Sequence, residues 1–181
     1  MYSVTQDPVP ESSLLKTYRG GERPASWGAY CDCFSVSIDQ RVTLAQFVAA
    51  FYTTPVFKLE RLVLRVLLRI PSNDEQARAL AAGTCNHFAA WRVGARTETQ
   101  LLMCDVRGHT RSWFAVSALS GDAKAQTLLQ FGSGIASTLN PKTGHPEMSR
   151  GFHWLAGFHV RYSHVLLLAA KRRLQKNSAP G

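Results

Sequence analysis

Residues 148–174 read MSRGFHWLAGFHVRYSHVLLLAAKRRL, and this stretch decides the fold class. It contains no proline, and after Gly151 its one weak helix former is Gly157. An apolar block at 165–170 is followed at once by a basic run at 171–173. This pattern predicts one long helix. Because strand-like segments precede it, we expect a sheet that wraps around this helix and leaves room for a ligand between them.

The rest of the chain alternates between strand and helix patterns. Strands are predicted at residues 27–38, 85–96, 98–106, 111–119 and 125–137. Helices are predicted at residues 44–52, 56–70 and 74–82. Short links between the last four strands favour antiparallel neighbours. The order of strand, helices, hairpin strands and final helix is typical of an α+β fold.

Length and composition predict one folded domain. The chain has 181 residues, of which 45% are hydrophobic and 10% aromatic. We expect the domain at residues 27–176, after a partly flexible arm at 1–26 and before a tail at 177–181. No apolar run reaches the ~20 residues that a membrane helix needs. The first residues lack the basic start and apolar centre of a secretory signal, so we expect a cytoplasmic protein.

Sequence motifs for phosphate, serine-hydrolase and metal chemistry are missing. Neither GxxxxGK[ST] nor GxGxxG nor GxSxG occurs. The four cysteines include no CxxC pair, which favours reduced thiols over a zinc site. His153, His159 and His164 of the final helix are six and five residues apart, whereas metal pairs on a helix are spaced by three or four. We therefore predict no metal and no cofactor.

Two polar residues are candidates for a role in a pocket. His159 on the final helix could bond to a ligand or transfer a proton, or it could be a partly buried histidine satisfied by a neighbour. Asp105 shares an alternating strand face with Met103, so its carboxylate needs a partner, which Arg92 or Arg111 could supply. That pair could equally be structural, and a turn nearby leaves solvent exposure as a further alternative.

The net charge of +9 is concentrated in residues 56–70 and 171–176. Arg61, Arg65 and Arg69 recur every four residues and form one stripe on their predicted helix. Such a stripe is either a solvated face or a surface for an anionic membrane or a partner, including a second copy of the chain. Nucleic-acid binding is not expected, because basic and aromatic residues do not interleave on one strand surface.

Several short segments carry a family resemblance. They are YCDCF at 30–34, FYTTP at 51–55 before the arginine stripe, Phe158-His159 and Tyr162-Ser163. With the order of elements, they resemble the START-like, polyketide-cyclase-like superfamily and, more narrowly, are similar to a group of uncharacterised bacterial proteins, over residues 27–174. The chain departs from that group by having Val56-Phe57 where a tryptophan is expected. The resemblance implies a helix-grip fold, an antiparallel sheet around a long C-terminal helix with a cavity between them, and it implies no reaction.

Three functional hypotheses follow. The leading one is binding of a small hydrophobic or lipid-like molecule in the cavity between sheet and final helix. Its lining is predicted to include Trp91, Met103, Trp113, Phe131, Phe158 and Tyr162. The second is an enzyme of the cyclase, dehydratase or hydrolase type, in which His159 is the acid or base and Asp105 or Arg92 orients it. The third is peripheral association with an anionic membrane or a partner through the basic helices.

Overall fold

The structure is a computed structural model, and it describes residues 3–19, 27–69, 71–106, 108, 110–119, 125–136, 138–139, 146–147 and 150–177. The helices are α1 (Leu14–Thr17), α2 (Leu44–Tyr52), α3 (Pro55–Leu68), α4 (Asp74–Ala82) and α5 (Arg150–Asn177). The strands are β1 (Thr5–Gln6), β2 (Trp27–Ile38), β3 (His87–Phe88), β4 (Trp91–Arg96), β5 (Gln100–Asp105), β6 (Thr110–Leu119), β7 (Gln126–Ala136), β8 (Thr138–Leu139) and β9 (Pro146–Glu147). Residues 20–26 of the predicted arm and 178–181 of the predicted tail lie outside these ranges.

One seven-stranded antiparallel sheet organises the chain, in the order β1-β2-β7-β6-β5-β4-β3. The strands β4 to β7 pair with their sequence neighbours, as short hairpin links require. The first long strand, β2, pairs with the last, β7, along almost its whole length. Together with α5 this confirms the predicted α+β fold with an antiparallel sheet and a long C-terminal helix.

Local sequence signals set several element boundaries. Thr43 Oγ1 accepts a hydrogen bond from Gln46 N at 3.2 Å, while Gln46 Oε1 accepts one from Thr43 N at 2.9 Å, and this reciprocal capping box begins α2. Helix α4 ends at Gly83, whose φ of 80° is the left-handed conformation that glycine adopts easily. The strand predicted at 85–96 is instead divided into β3 and β4, because the chain turns at Ala89, where φ is 51°.

Alternate residues of each strand point to opposite sides of the sheet. The helices α2 to α5 cover one side, which we call the helix-facing side. Phe34, Phe131 and Phe114 are register partners on β2, β7 and β6 and form an aromatic row there. Helix α5 packs against α2 and β2. Its buried contribution to this core consists of Leu166, Leu167, Ala170 and Leu174. The terminal helix therefore lies on the sheet, as the sequence predicts.

The N-terminal arm covers the other side, the arm-facing side. Leu15 of α1 packs there, where Gly132 leaves β7 without a side chain. Gln100 Oε1 joins the two layers, since it accepts hydrogen bonds from Leu14 N at 2.9 Å and from Trp113 Nε1 at 2.8 Å. The prediction that Trp113 lines the cavity is therefore corrected. Its ring is buried beneath the arm, on the side of the sheet away from α5.

The arginine stripe of α3 is divided between two environments. Arg61 Nη1 lies 2.6 Å from Asp74 Oδ1, and Arg61 Nη2 donates to the carbonyl of Ser72 at 2.8 Å. Arg65 and Arg69 are exposed. Arg61 therefore ties α3 to the start of α4 instead of facing a partner. None of the helices in the described ranges combines the length and the apolar character needed to cross a bilayer.

Candidate ligand-binding cavity

A cavity of about 250 Å³ lies on the helix-facing side, bordered by α2, α3, α5 and the strands β6 and β7. Aromatic rings supply much of its wall, namely Phe51, Tyr52, Phe57, Trp91, Phe114 and Phe131. The rings support one another: the ring centre of Phe51 lies 4.8 Å from that of Phe131 and 4.9 Å from that of Phe114. Interlocked rings of this kind form a stiff apolar wall at the edge of the core.

Next to the aromatic row, the sheet carries a polar row. Asp32, Ser133 and Ser112 are register partners on β2, β7 and β6, two residues along from the phenylalanines and therefore on the same side. The Asp32 side chain is only 1% exposed. Its Oδ1 accepts from Ser133 N at 2.9 Å, and its Oδ2 accepts from the Tyr30 hydroxyl at 3.0 Å. These bonds compensate the cost of burying the carboxylate.

His159 of α5 lies over this row. Its Nε2 is 3.0 Å from Ser133 Oγ and 3.4 Å from Asp32 Oδ2. A Ser-His-Asp triad uses opposite ring nitrogens for the serine and the carboxylate, so two contacts at one nitrogen do not make Ser133 an activated nucleophile. What the arrangement can do is hold or pass a proton at Nε2, on the wall of the cavity.

Glu60 and Tyr162 form a second polar pair, which joins α3 to α5. The Tyr162 hydroxyl donates a hydrogen bond to Glu60 Oε2, and both side chains line the cavity. Burial raises the pKa of Glu60, and the hydrogen bond from Tyr162 and the nearby His159 only partly oppose that rise. Burial, together with the Glu60 charge, also raises the pKa of Tyr162, so the phenol stays protonated as the donor.

Ser163 adds an unsatisfied polar atom to the same wall. The residue is 1% exposed, lies one helical turn after His159 on α5, and lines the cavity. In the described part of the structure its Oγ has no hydrogen-bond partner. A buried hydroxyl without a partner costs about 1–3 kcal/mol, which a bound molecule could recover.

The predicted site residues separate into distinct groups. Trp91, Phe131, Tyr162 and His159 line the cavity. Met103 is fully buried in the core on the same side of the sheet but is not part of the cavity wall. The side chain of Phe158 lies outside the described residues, and Trp113 lies on the arm-facing side.

The predicted partners of His159 are corrected. Asp105 Oδ2 accepts hydrogen bonds from Thr110 N and Thr110 Oγ1, both at 2.9 Å, and so stabilises the connection between β5 and β6. Arg92 is exposed on β4, far along the sheet order from β2. Asp32 and Ser133 occupy the positions next to His159 instead. The strand alternation that puts Phe34 toward the helices already indicates the side on which Asp32 lies, whereas Glu60 and Ser163 carry no local signal.

The Glu60→Gln variant should show how burial of the Glu60 carboxyl group makes the stability of the protein depend on pH. A glutamate whose folded-state pKa is raised above its ordinary value of 4.5 contributes stability at low pH that is lost as the pH rises through the folded-state pKa. Glutamine keeps an acceptor for Tyr162 without that loss. We expect equal melting temperatures at about pH 4 and a variant that melts about 2–4 °C higher at about pH 8. Thermal unfolding followed by circular dichroism measures both, with exposed Glu98→Gln as the control that should show no such divergence.

Metal ligation and wider similarity complete the description of the site. Among the described residues, no three His, Cys, Asp or Glu side chains are close enough together to hold a metal ion. All four cysteines are free thiols, and burial raises the pKa of Cys33 to about 12.

Comparison with protein-family models gives no match to this chain, and comparison with curated proteins finds no significantly similar sequence.

Proposed function

We propose that this protein binds a small, mostly apolar molecule in the cavity between the sheet and α5. The observation that carries the proposal is the wall itself, in which seven aromatic rings, Tyr162 included, line a space that also receives a few polar groups. Ligand sites in proteins have this composition, with an apolar majority for affinity and a few polar atoms for orientation. The START-like resemblance of the sequence supports the same location.

The size of the cavity narrows the ligand class. Sites for drug-sized molecules measure roughly 300–1,000 Å³. At about 250 Å³ this cavity is smaller, so its volume matches a single ring with a short substituent better than a long-chain lipid. The ligand we propose is therefore a compact molecule, with its apolar body against the rings and its polar end toward the groups on α3 and α5.

A matched pair of variants on one strand tests this location. Ser112 faces the cavity from β6, and Ser117 is exposed farther along the same strand. With 2-phenylethanol as the probe, we expect Ser112→Phe to weaken binding about tenfold or more because the new ring occupies the cavity. Ser117→Phe should leave binding unchanged. Ligand-observed NMR titration measures both, and native mass spectrometry of the purified protein would reveal a retained natural ligand.

Two results would contradict the proposal. One is an absence of binding to the unmodified protein, with no molecule retained after purification. The other is an equal loss of binding in the two serine variants, which would place the probe somewhere other than this cavity. Circular dichroism of both variants separates a loss of binding from a loss of the fold.

A further inference from the structure

Carboxyl groups lie at the cavity of this basic protein. The chain carries a net charge of +9, and within the described ranges Glu60 lines the cavity while Asp32 lies beside Ser133 and His159 of its wall. Arg111 is part of the wall, but its guanidinium lies on the arm-facing side, 5.0 Å from the ring centre of Tyr18, and donates to the Tyr18 carbonyl at 3.3 Å. Salt screens charges over about 8 Å at physiological ionic strength, so a ligand inside responds to these local groups more than to the distant surface.

The two carboxyl groups have different surroundings. Asp32 receives the Ser133 amide and the Tyr30 hydroxyl and has His159 beside it. Glu60 receives the Tyr162 hydroxyl, and within the described ranges no Lys or Arg nitrogen lies within 4 Å of its carboxylate. The neighbouring bases of α3, Lys58 and Arg61, both pair with Asp74. Glu60 is thus a carboxyl group on an aromatic-lined cavity whose basic neighbour among the described residues is His159, and no permanently charged side chain is paired with it.

The remaining polar atoms of the cavity wall also favour a ligand that donates hydrogen bonds. Ser163 Oγ is buried without a hydrogen-bond partner in the described structure, and a hydroxyl can accept. Aromatic ring faces attract cations, and the attraction is stronger where water is excluded. An ammonium group offers up to three N–H donors and one positive charge. It therefore matches a carboxylate, an unsatisfied hydroxyl and a set of rings better than a neutral or anionic group does.

We propose that the ligand is a small protonated amine with an apolar body, whose ammonium group pairs with Glu60 while its body contacts the aromatic wall. This inference rests on the proposed function, because it names the chemical class of the molecule that the cavity binds. The amine supplies a permanent counter-charge to Glu60, and its remaining N–H groups are available to acceptors such as Ser163 Oγ.

Three probes on the same frame test the inference: 2-phenylethylamine, 2-phenylethanol and phenylacetate. In calorimetric titrations at neutral pH and physiological salt, we expect the amine to bind about tenfold more tightly than the alcohol, and phenylacetate more weakly than either. Glu60→Gln should abolish the preference for the amine, so that the amine and the alcohol bind the variant with similar affinities. Glu98→Gln removes the same charge from an exposed turn and should leave all three affinities as they are.

The outcomes distinguish the two proposals. If the alcohol binds as tightly as the amine to the unmodified protein, the amine is the wrong class, but the cavity still binds a small apolar molecule. If Glu98→Gln weakens amine binding as much as Glu60→Gln does, surface charge explains the preference and the inference is overturned. If none of the three probes binds and the purified protein retains no small molecule, the proposed function itself fails. The ranking of the three probes is measured on the unmodified protein. The inference can therefore be overturned even if the Glu60→Gln variant fails to fold.

Discussion

Replacing Phe51 by alanine is expected to lower the free energy of unfolding by about 3–5 kcal/mol. Phe51 is 1% exposed and lies where α2 meets the sheet. Its ring contacts the rings of Phe47, Tyr52, Phe57, Phe114 and Phe131. Truncation removes apolar burial and leaves a void that rings fixed by one another cannot fill.

Urea denaturation followed by circular dichroism measures this loss, and Phe51→Leu is the matched control. Leucine retains most of the buried volume, so we expect it to cost about 1 kcal/mol. A cost for alanine as small as that for leucine would mean that the wall relaxes around the void and is not stiff. Because Phe51 also lines the cavity, the alanine variant, if folded, should accept a larger apolar probe than the unmodified protein does.

The elements that the sequence predicted well are those with local causes. The alternation of Phe34, Val36 and Ile38 predicts the strand at 27–38, and the structure has β2 at Trp27–Ile38. The capping pair Thr43 and Gln46 fixes the start of α2 within the chain itself. In each case the information lies within a few residues, so periodicity and capping rules are sufficient.

The sides of the sheet could not be assigned in the same way. Alternation shows that Trp113 and Phe114 point to opposite sides, but both are almost completely buried, so hydrophobicity does not indicate which side faces α5. The side of Trp113 is covered by Leu15, from a region of the chain whose sequence resembles a surface arm. A helix as short as α1 contains too few residues for its apolar periodicity to be recognised in the sequence.

The polar groups of the cavity depend on contacts between distant parts of the chain. Glu60 and Tyr162 meet although they are 102 residues apart, and Ser133 and His159 meet across 26 residues. No local pattern identifies such pairs, which is why His159 was predicted as a candidate while its neighbours were not. Asp32 was not predicted either, although strand alternation places it on the same face of β2 as Phe34, two residues later.

Gly132 lies on the arm-facing side of β7 against the Asp32 backbone and the Trp113 ring, and Gly132→Ala should cost about 2–3 kcal/mol. A Cβ atom at this position would lie 2.8 Å from the backbone carbonyl oxygen of Asp32 and 3.0 Å from the Trp113 ring. A paired backbone cannot yield without distorting the β2–β7 ladder. Gly134→Ala is the matched control, because its Cβ would meet the flexible Leu15 side chain at 3.0 Å, and we expect it to cost less than about 1 kcal/mol.

A double-mutant test in the Leu15→Ala background separates the two causes. Removing the Leu15 side chain should abolish the cost of Gly134→Ala and leave most of the cost of Gly132→Ala, since the carbonyl of Asp32 remains in place. Equal relief of both glycine variants would show that the arm alone limits the space at β7. The predicted shift at Asp32 would also reach the cavity, because the Asp32 carboxylate holds Ser133 N and lies beside His159. A change in the His159 NMR resonances in Gly132→Ala, absent from Gly134→Ala, would therefore demonstrate that packing beneath the arm positions the polar row on the opposite side of the sheet.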